Sequence, residues 1–347
     1  MHTPSGWGRW LCAAILLSAS AAAPAEPVIL AHANPPKPED VFALLGLDGP
    51  QIEALAQGKI VAYPLAESSA DELANGIALY VPGPVADAIA YLRQGDPKAI
   101  DAEVSIYGVL PAAGGADAFA RLSLPPEEAE ALPDVAAGDD FNFSAEEIAS
   151  FKPLKRLPKA AAAAEQHYRQ ILSQRLAAYR KAGLNGIARY ARVDTLDSDP
   201  ALELRQAANE KGIIAHFFPA LRVAWLNYPA PLPPGMDETY LWVHKTVEGQ
   251  PSAILRHTVM SDWHSGLLML TREFYVEHSY NSSQWTTLCL PYLKGVVIFQ
   301  QVRSYTDQVT GTGSDVKRLI GRELLERRMA TAWERVRQAI LAKAPAR

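Results

Sequence analysis

Cysteine is scarce in this chain, which carries only Cys12 and Cys289 among 347 residues. We expect the segment that contains Cys12 to be removed on export, and one remaining thiol cannot form an internal disulfide. Hydrophobic packing must therefore hold the fold together, and a chain of this length can bury a sizeable core. Basic residues are also few, because 33 Lys and Arg stand against 38 Asp and Glu. The net charge of -5 argues against nucleic acid as a partner, since its binders carry concentrated basic patches.

Long hydrophobic runs are absent as well, and none approaches the roughly 20 residues that span a bilayer. The apolar run at 10–17 follows Arg9 and precedes an Ala-Pro-Ala triplet at 23–25, which is the pattern of a secretory signal peptide. We predict cleavage before Glu26, which removes the only charged side chain of residues 1–25 and changes the net charge from -5 to -6. The mature protein is expected to be periplasmic or secreted, with no stable membrane span.

Sequence signatures of the common catalytic and cofactor sites are missing. The chain has no G-x-S-x-G nucleophile elbow, no H-E-x-x-H or C-x-x-C motif, no Walker loop and no EF-hand loop. Cys289 lies in an apolar run and is expected to be a buried, inert thiol. No cofactor and no catalytic residue is predicted, and the spacing of the histidines, which fall on different strands, singles out no metal site.

The chain divides into five segments that differ in composition and in the spacing of their hydrophobic residues. Residues 1–25 form the signal peptide, 26–58 a tether with short helices, and 59–113 the first strands and a helix. Residues 114–234 carry mostly helical patterns and are predicted to be a helical insertion. Residues 235–347 switch to the strand period, with five extended runs typical of an antiparallel meander, and end in a long amphipathic helix.

The order of these elements carries a family resemblance. A strand at 76–81, a helix directly after it at 85–92, a meander at 240–306 and a last helix at 312–342 resemble the layout of the START/Bet v 1-like (helix-grip, SRPBCC) superfamily. The resemblance implies an α+β fold in which a curved antiparallel sheet wraps the C-terminal helix and encloses an apolar cavity. It also implies binding of a hydrophobic small molecule or lipid, and in some members cyclase or hydrolase chemistry. The last helix has one apolar stripe, formed by Leu325, Met329, Trp333, Val336 and Ile340.

Polar side chains fall on apolar strand faces at several places in the meander. Along 268–280, strand alternation places Arg272, Phe274, Val276 and His278 on the face that we predict to be buried. An unpaired charge on such a face is costly, so a partner or a ligand is expected. The same alternation adds residues of other strands, and the predicted ligand-binding set is Trp242, His257, Arg272, Phe274, His278, Phe299, Arg303 and Tyr305.

We expect the arginines and histidines of this set to form a polar floor for a carboxylate or phosphate head group, with the aromatic residues around an apolar tail. Arg272 would hold the head group together with Arg303 or His257. His278, about 20 Å further along the same strand, would mark the rim. In the alternative interpretation, these side chains reach solvent or pair with nearby carboxylates and bind nothing.

Three functions are compatible with these patterns. The favoured one is non-catalytic binding of a hydrophobic or anionic amphipathic small molecule or lipid by an exported protein. The second is a hydrolase or cyclase that uses His257 or His278 as a general base. The third is an envelope interaction protein without a ligand pocket. A closed apolar cavity would favour the first, a nucleophile beside a histidine the second, and a filled core the third.

Overall fold

The computed structural model describes residues 36–138, 141–193, 196–263 and 266–343. The predicted signal peptide and its cleavage site lie outside these described residues. Within them, the chain forms an antiparallel sheet with helices on both of its faces. The strands are β1 (Val61–Pro64), β2 (Glu72–Pro82), β3 (Val104–Val109), β4 (Asp237–Val247), β5 (Gln250–Trp263), β6 (Gly266–Val276), β7 (Ser282–Tyr292) and β8 (Gly295–Tyr305).

The α-helices precede, follow and interrupt these strands, and short 3₁₀ turns join some of them. They are α1 (Pro38–Leu45), α2 (Gly49–Ala56), α3 (Val85–Gln94), α4 (Pro97–Ile100), α5 (Pro126–Ala131), α6 (Ala145–Phe151), α7 (Ala160–Ala182), α8 (Pro200–Asn209), α9 (Ile213–Phe217), α10 (Pro219–Leu226) and α11 (Ser314–Lys343). Among these described helices, none combines the length and the apolar character needed to cross a bilayer.

The strands are ordered β1-β2-β8-β7-β6-β5-β4-β3 across the sheet, and neighbouring strands are antiparallel. Strands β4 to β8 form the predicted meander, which is confirmed. Strand β3 has no counterpart among the predicted strands and pairs with β4 at one edge. A Cβ at Gly108 of β3 would lie 2.4 Å from the Trp242 indole nitrogen, so glycine there leaves room for this ring.

The C-terminal helix packs against one face of the sheet, as its apolar stripe predicts. Met329, Trp333, Val336 and Ile340 are buried in one core with residues of α3, β2 and β8. The Trp333 indole nitrogen donates to Gln300 Oε1 at 2.6 Å, which satisfies its polar atom. The predicted fold class, an α+β protein with an antiparallel sheet and a long C-terminal helix packed on it, is confirmed.

The helices between β3 and β4 cover the opposite face, together with α1 and α2. Tyr168 and Tyr179 of α7 share one core with Trp242 and Phe274 of the sheet. A second core joins α1, α2, α9 and α10 to strands β6, β7 and β8. The described parts of 114–234 are thus helical, and their status as an insertion into a known fold stays a prediction.

The end of α7 is fixed by a close backbone approach. Gly183 has a φ of 57°, and a Cβ there would lie 1.7 Å from the carbonyl oxygen of Tyr228. Only glycine permits this contact. It holds the segment after α10 against α7, where the ring of Tyr228 stacks on that of Tyr179 with 5.4 Å between their centroids.

Candidate functional site

Four polar side chains form one row across the centre of the sheet. His257 of β5 lies opposite Arg272 of β6, Arg272 lies opposite Gln284 of β7, and Gln284 lies opposite Arg303 of β8. Because each pair is in register, the four side chains share the face that carries the helices α7 to α10. The structure therefore brings together three residues of the predicted set, His257, Arg272 and Arg303.

This row lies on the face opposite the C-terminal helix. Phe274 and Trp242 belong to the core with α7, and Phe299 belongs to the core with α1 and α10. Ile298, the neighbour of Phe299, instead packs with α11. Since successive strand residues face opposite sides, the predicted residues cannot line a cavity between the sheet and its last helix. The structure differs here from the arrangement that the family resemblance implies.

Arg272 is fully buried at the centre of the row. Its guanidinium donates to Tyr179 Oη at 3.1 Å, to the carbonyl oxygen of Trp225 at 3.2 Å and to Gln284 Oε1 at 3.5 Å. It also lies over the Trp225 ring, 4.2 Å from the centroid. No carboxylate in the described part of the chain forms an ion pair with it, and its Nε makes no hydrogen bond there. Arg272 is therefore a buried cation with neutral partners, which is an expensive arrangement.

His257 is also fully buried, and its ring stacks on Tyr240 with 4.4 Å between the centroids. Its Nδ1 lies 2.9 Å from Tyr179 Oη, and its Nε2 lies 3.0 Å from Glu238 Oε1. Since Arg272 donates to Tyr179 Oη, we assign the phenolic proton to the bond with Nδ1 and the imidazole hydrogen to Nε2. Burial lowers the pKa of His257 to about 4, so the ring is neutral at physiological pH.

A chain of contacts thus runs from Glu238 through His257 and Tyr179 to Arg272. The contact with the His257 ring lowers the pKa of Glu238 to about 2, which keeps this half-exposed carboxylate ionised. Tyr179 is stacked on Phe274 with 4.0 Å between ring centroids, and burial raises the pKa of its hydroxyl. A phenol of this kind is a poor nucleophile, and its geometry serves to orient the Arg272 guanidinium.

The other end of the row is paired. Arg303 Nη1 forms an ion pair with Glu72 Oε1 at 2.5 Å and donates to the carbonyl oxygen of Ala66 at 2.9 Å. Its Nη2 lies 4.0 Å from Glu210 Oε2. Tyr305, two residues further along β8, is buried on the same face. The charge of Arg303 is therefore largely balanced, in contrast to that of Arg272.

The predicted aromatic residues fill the core around the row. Phe299 packs edge-on against Phe42 of α1, with centroids 5.6 Å apart. The Trp242 indole donates to the carbonyl oxygen of Ala118 at 2.8 Å. Together with Phe274, these side chains occupy the space in which the sequence predicts an apolar ligand tail.

A bulge in β6 changes the predicted alternation beyond Phe274. Glu273 and Tyr275 pair with consecutive residues of β5, which leaves Phe274 between them without a partner. Phe274 and Tyr275 both contact the helical core, whereas Val276 packs on the other face of the sheet. The prediction that Val276 shares a face with Arg272 is wrong, because one extra residue reverses the alternation.

His278 lies two residues beyond the end of β6 and is almost fully buried. Its ring packs on Phe141 with 4.6 Å between the centroids. Its Nε2 lies 3.9 Å from a carboxylate oxygen of Glu128 and 3.9 Å from one of Glu277. His278 thus belongs to an acidic cluster separate from Arg272, and its role at a ligand rim stays a prediction.

A small cleft of about 30 Å³ opens beside the row, between helices α8 to α10 and strands β6 to β8. A volume of this size holds about one water molecule. Trp225 and Gln284, two of the partners of Arg272, form part of its wall, and so does Arg303. Tyr179 and His257 are not among the residues that line it.

Sequence reasoning missed four members of this site. Tyr179 and Trp225 appear in the sequence as apolar positions of helical patterns, which indicate core packing. Glu238 and Gln284 lie in strands without any distinguishing pattern. The signal that could have found Gln284 is the cross-strand register, which places it opposite Arg272.

Comparisons with known proteins find only partial likenesses. The chain is similar over 30% of its length to TTHA0849 from Thermus thermophilus, with 12% sequence identity, 68% of that chain covered and a TM-score of 0.25. It is similar over 30% of its length to Ara h 8.0201, with 11% identity, 67% of that chain covered and a TM-score of 0.20. No protein-family model and no curated protein matches the chain. Likenesses of this extent carry no functional argument, and the sheet order and helix packing define the fold.

Proposed function

We propose that the protein binds a small amphipathic anion in the cleft beside Arg272. The observation that carries this proposal is the burial of Arg272 with neutral partners only. Two of those partners, Trp225 and Gln284, separate its guanidinium from the cleft. An anionic head group in the cleft would balance the positive charge of Arg272 from the other side of these two side chains. The attraction is strengthened because the buried surroundings have a low dielectric constant.

The lining of the cleft supports an anion. Lys211 and Arg222 contribute two cationic side chains, and Arg303 adds a third that is already paired with Glu72, whereas Glu210 is the acidic side chain of the lining. Leu270 and other apolar residues line it as well, which suits a short apolar tail. Because the cleft is small, a longer tail requires movement of the bend that joins α8 to α9.

Binding is tested by titration of the purified protein with butanoate, a carboxylate with a short apolar tail, in a calorimeter. Arg272→Met keeps the apolar stem and removes the charge, so it should weaken binding through the loss of the attraction across the Trp225 and Gln284 side chains. Lys155→Met removes an exposed charge remote from the cleft and should leave the affinity unchanged.

Because Arg272→Met also alters a buried network, its folding must be checked by circular dichroism. Lys211→Met, on the exposed rim of the cleft, provides a second variant with a smaller expected loss. Unchanged affinity in both folded variants, or no binding by the parent protein, would remove the support for this function.

The proposed location is the periplasm or the exterior, and it rests on the signal-peptide pattern of residues 1–25. N-terminal sequencing of the exported protein should begin at Glu26. Recovery of the intact segment from membranes would contradict the proposal.

A second candidate function, an envelope interaction protein without a pocket, is favoured by the surface of α11. Val316, Leu319, Ile320 and Leu324 are exposed at helical spacing in its first half. If this stripe binds a partner, Leu319→Ser should abolish co-purification without changing thermal stability. The hydrolase or cyclase alternative has less support, because the hydroxyl beside His257 is fully buried.

A further inference from the structure

Three potential ligand atoms converge just beyond the end of β6, away from the Arg272 row. Glu277 and His278 follow the strand directly, and Glu128 reaches them from α5. One atom from each side chain can be chosen so that all three lie within 4.8 Å of one another. The Nε2 atom of His278 is equidistant from the two carboxylates, at 3.9 Å from each.

The Glu277 carboxylate is buried with neutral partners, which include the Tyr168 hydroxyl. It is fully buried, and its Oε2 accepts a hydrogen bond from the Ala253 amide at 2.7 Å. Its Oε1 makes no hydrogen bond to any residue in the described ranges, and no described lysine or arginine forms an ion pair with it. A bound cation would supply the positive charge that this buried carboxylate lacks.

We propose that Glu128, Glu277 and His278 bind one divalent transition-metal ion, with zinc the best match. One imidazole nitrogen and two carboxylate oxygens form a donor set that suits zinc, whereas calcium and magnesium prefer oxygen ligands alone. Zinc–ligand bonds of about 2.0 to 2.2 Å place tetrahedral ligands about 3.4 Å apart. The 3.9 Å separations around His278 Nε2 therefore close by small side-chain movements.

The surroundings hold two of the ligands in place. The Ala253 amide holds Oε2 of Glu277, the oxygen that lies 3.9 Å from His278 Nε2. Phe141 packs on the His278 ring, and the backbone amide of His278 donates to Ser252 Oγ at 3.2 Å. Supports of this kind orient ligands in metal sites. Since Glu128 belongs to the helical layer and the other two ligands to the sheet, the ion would tie the two layers together.

The proposal is tested with the full chain after dialysis against EDTA. Titration with zinc chloride should give one bound ion per chain by calorimetry and atomic absorption, together with a higher melting temperature. Glu277→Gln preserves the side-chain shape and removes an anionic ligand, so it should weaken zinc binding by about 100-fold or more.

Glu203→Gln is the matched control. Glu203 is another buried glutamate whose pKa burial raises to about 8, but Asn281 and Ser282 donate to its two oxygens. This variant should bind zinc like the parent. Should Glu277→Gln fail to fold, Glu128→Gln on the partly exposed α5 takes its place. Absence of zinc binding by the parent at micromolar concentrations, or parental affinity in the folded ligand variants, would overturn the proposal.

Discussion

At the scale of single residues, the buried ionisable groups of the sheet respond to pH in opposite directions. Burial lowers the pKa of His257 to about 4 and raises those of Glu203 and Glu277 to about 8. The unfolded chain binds a proton at a histidine near pH 6.5 and releases one from a glutamate near pH 4.5. The histidine therefore destabilises the fold as the pH falls below 6.5, and the glutamates destabilise it as the pH rises from 4.5 to 8.

The contribution of His257 is a testable prediction. Between pH 6.5 and 4 the unfolded chain binds more protons at this position than the folded chain, so His257 should cost about 3 kcal/mol of stability at pH 4 relative to pH 7.5. Urea unfolding of the parent and of His257→Phe, which preserves ring stacking, measures the difference. In His257→Phe, the free energy of unfolding should lack the decrease between pH 6.5 and 4 that His257 causes in the parent.

The control for this comparison is His216→Gln on α9, because the His216 side chain is exposed. It should retain the acid sensitivity of the parent. An equal loss of stability at pH 4 in the parent and in His257→Phe would show that His257 is not a buried neutral histidine.

At the scale of secondary-structure elements, the periodicity of the hydrophobic residues predicted most of the observed strands and buried faces. The stripe on α11 and the alternation in β5 and β8 are long enough to indicate buried faces, so Trp333, His257 and Arg303 are buried as expected, although His257 and Arg303 lie on the face away from α11. The bulge at Phe274 has no sequence signal, because it depends on the register with β5. Strand β3 is short and half-exposed, and its pairing with β4 is likewise a tertiary effect.

The packing of α11 leads to the second prediction. Trp333 is 5% exposed and fills the space between its helix and β8, so Trp333→Ala should reduce the free energy of unfolding by about 3 to 5 kcal/mol. Leu319→Ala on the same helix is the control, because Leu319 is 56% exposed and should change stability by less than about 0.5 kcal/mol. Denaturant melts compare the two. A loss below about 1 kcal/mol for Trp333→Ala would mean that this helix does not close the core.

At the scale of the whole molecule, the sheet is covered on both faces. One core joins it to α3 and α11, and the cores on the other face join it to α7 and to the helices α1, α2, α9 and α10. The sequence predicts a helix on one face and an insertion of unspecified position. The site lies on the insertion side, because Arg272 needs Tyr179 and Trp225 from α7 and α10 as partners. A pattern within one strand cannot indicate which helix will cover it.

This arrangement predicts that residues 114–234 are part of one folding unit with the sheet. The Leu110 amide donates to the carbonyl oxygen of Tyr240 at 2.8 Å, so a short Gly-Ser linker could join β3 to β4 in place of that segment. Its removal would expose Trp242, Phe274 and other large apolar side chains of the sheet. We expect the shortened protein to lack a cooperative urea transition and the near-ultraviolet circular dichroism of fixed aromatic rings.

The control for this deletion inserts the same linker after Gly235, an exposed residue with a φ of 83° before β4, and keeps every helix. That protein should unfold cooperatively like the parent, since loop insertions at exposed turns cost little. If the shortened protein instead folds cooperatively and is soluble, the helical segment is a separate domain. The Arg272 row would then be complete without Tyr179 and Trp225, which contradicts the shared core on which the site depends.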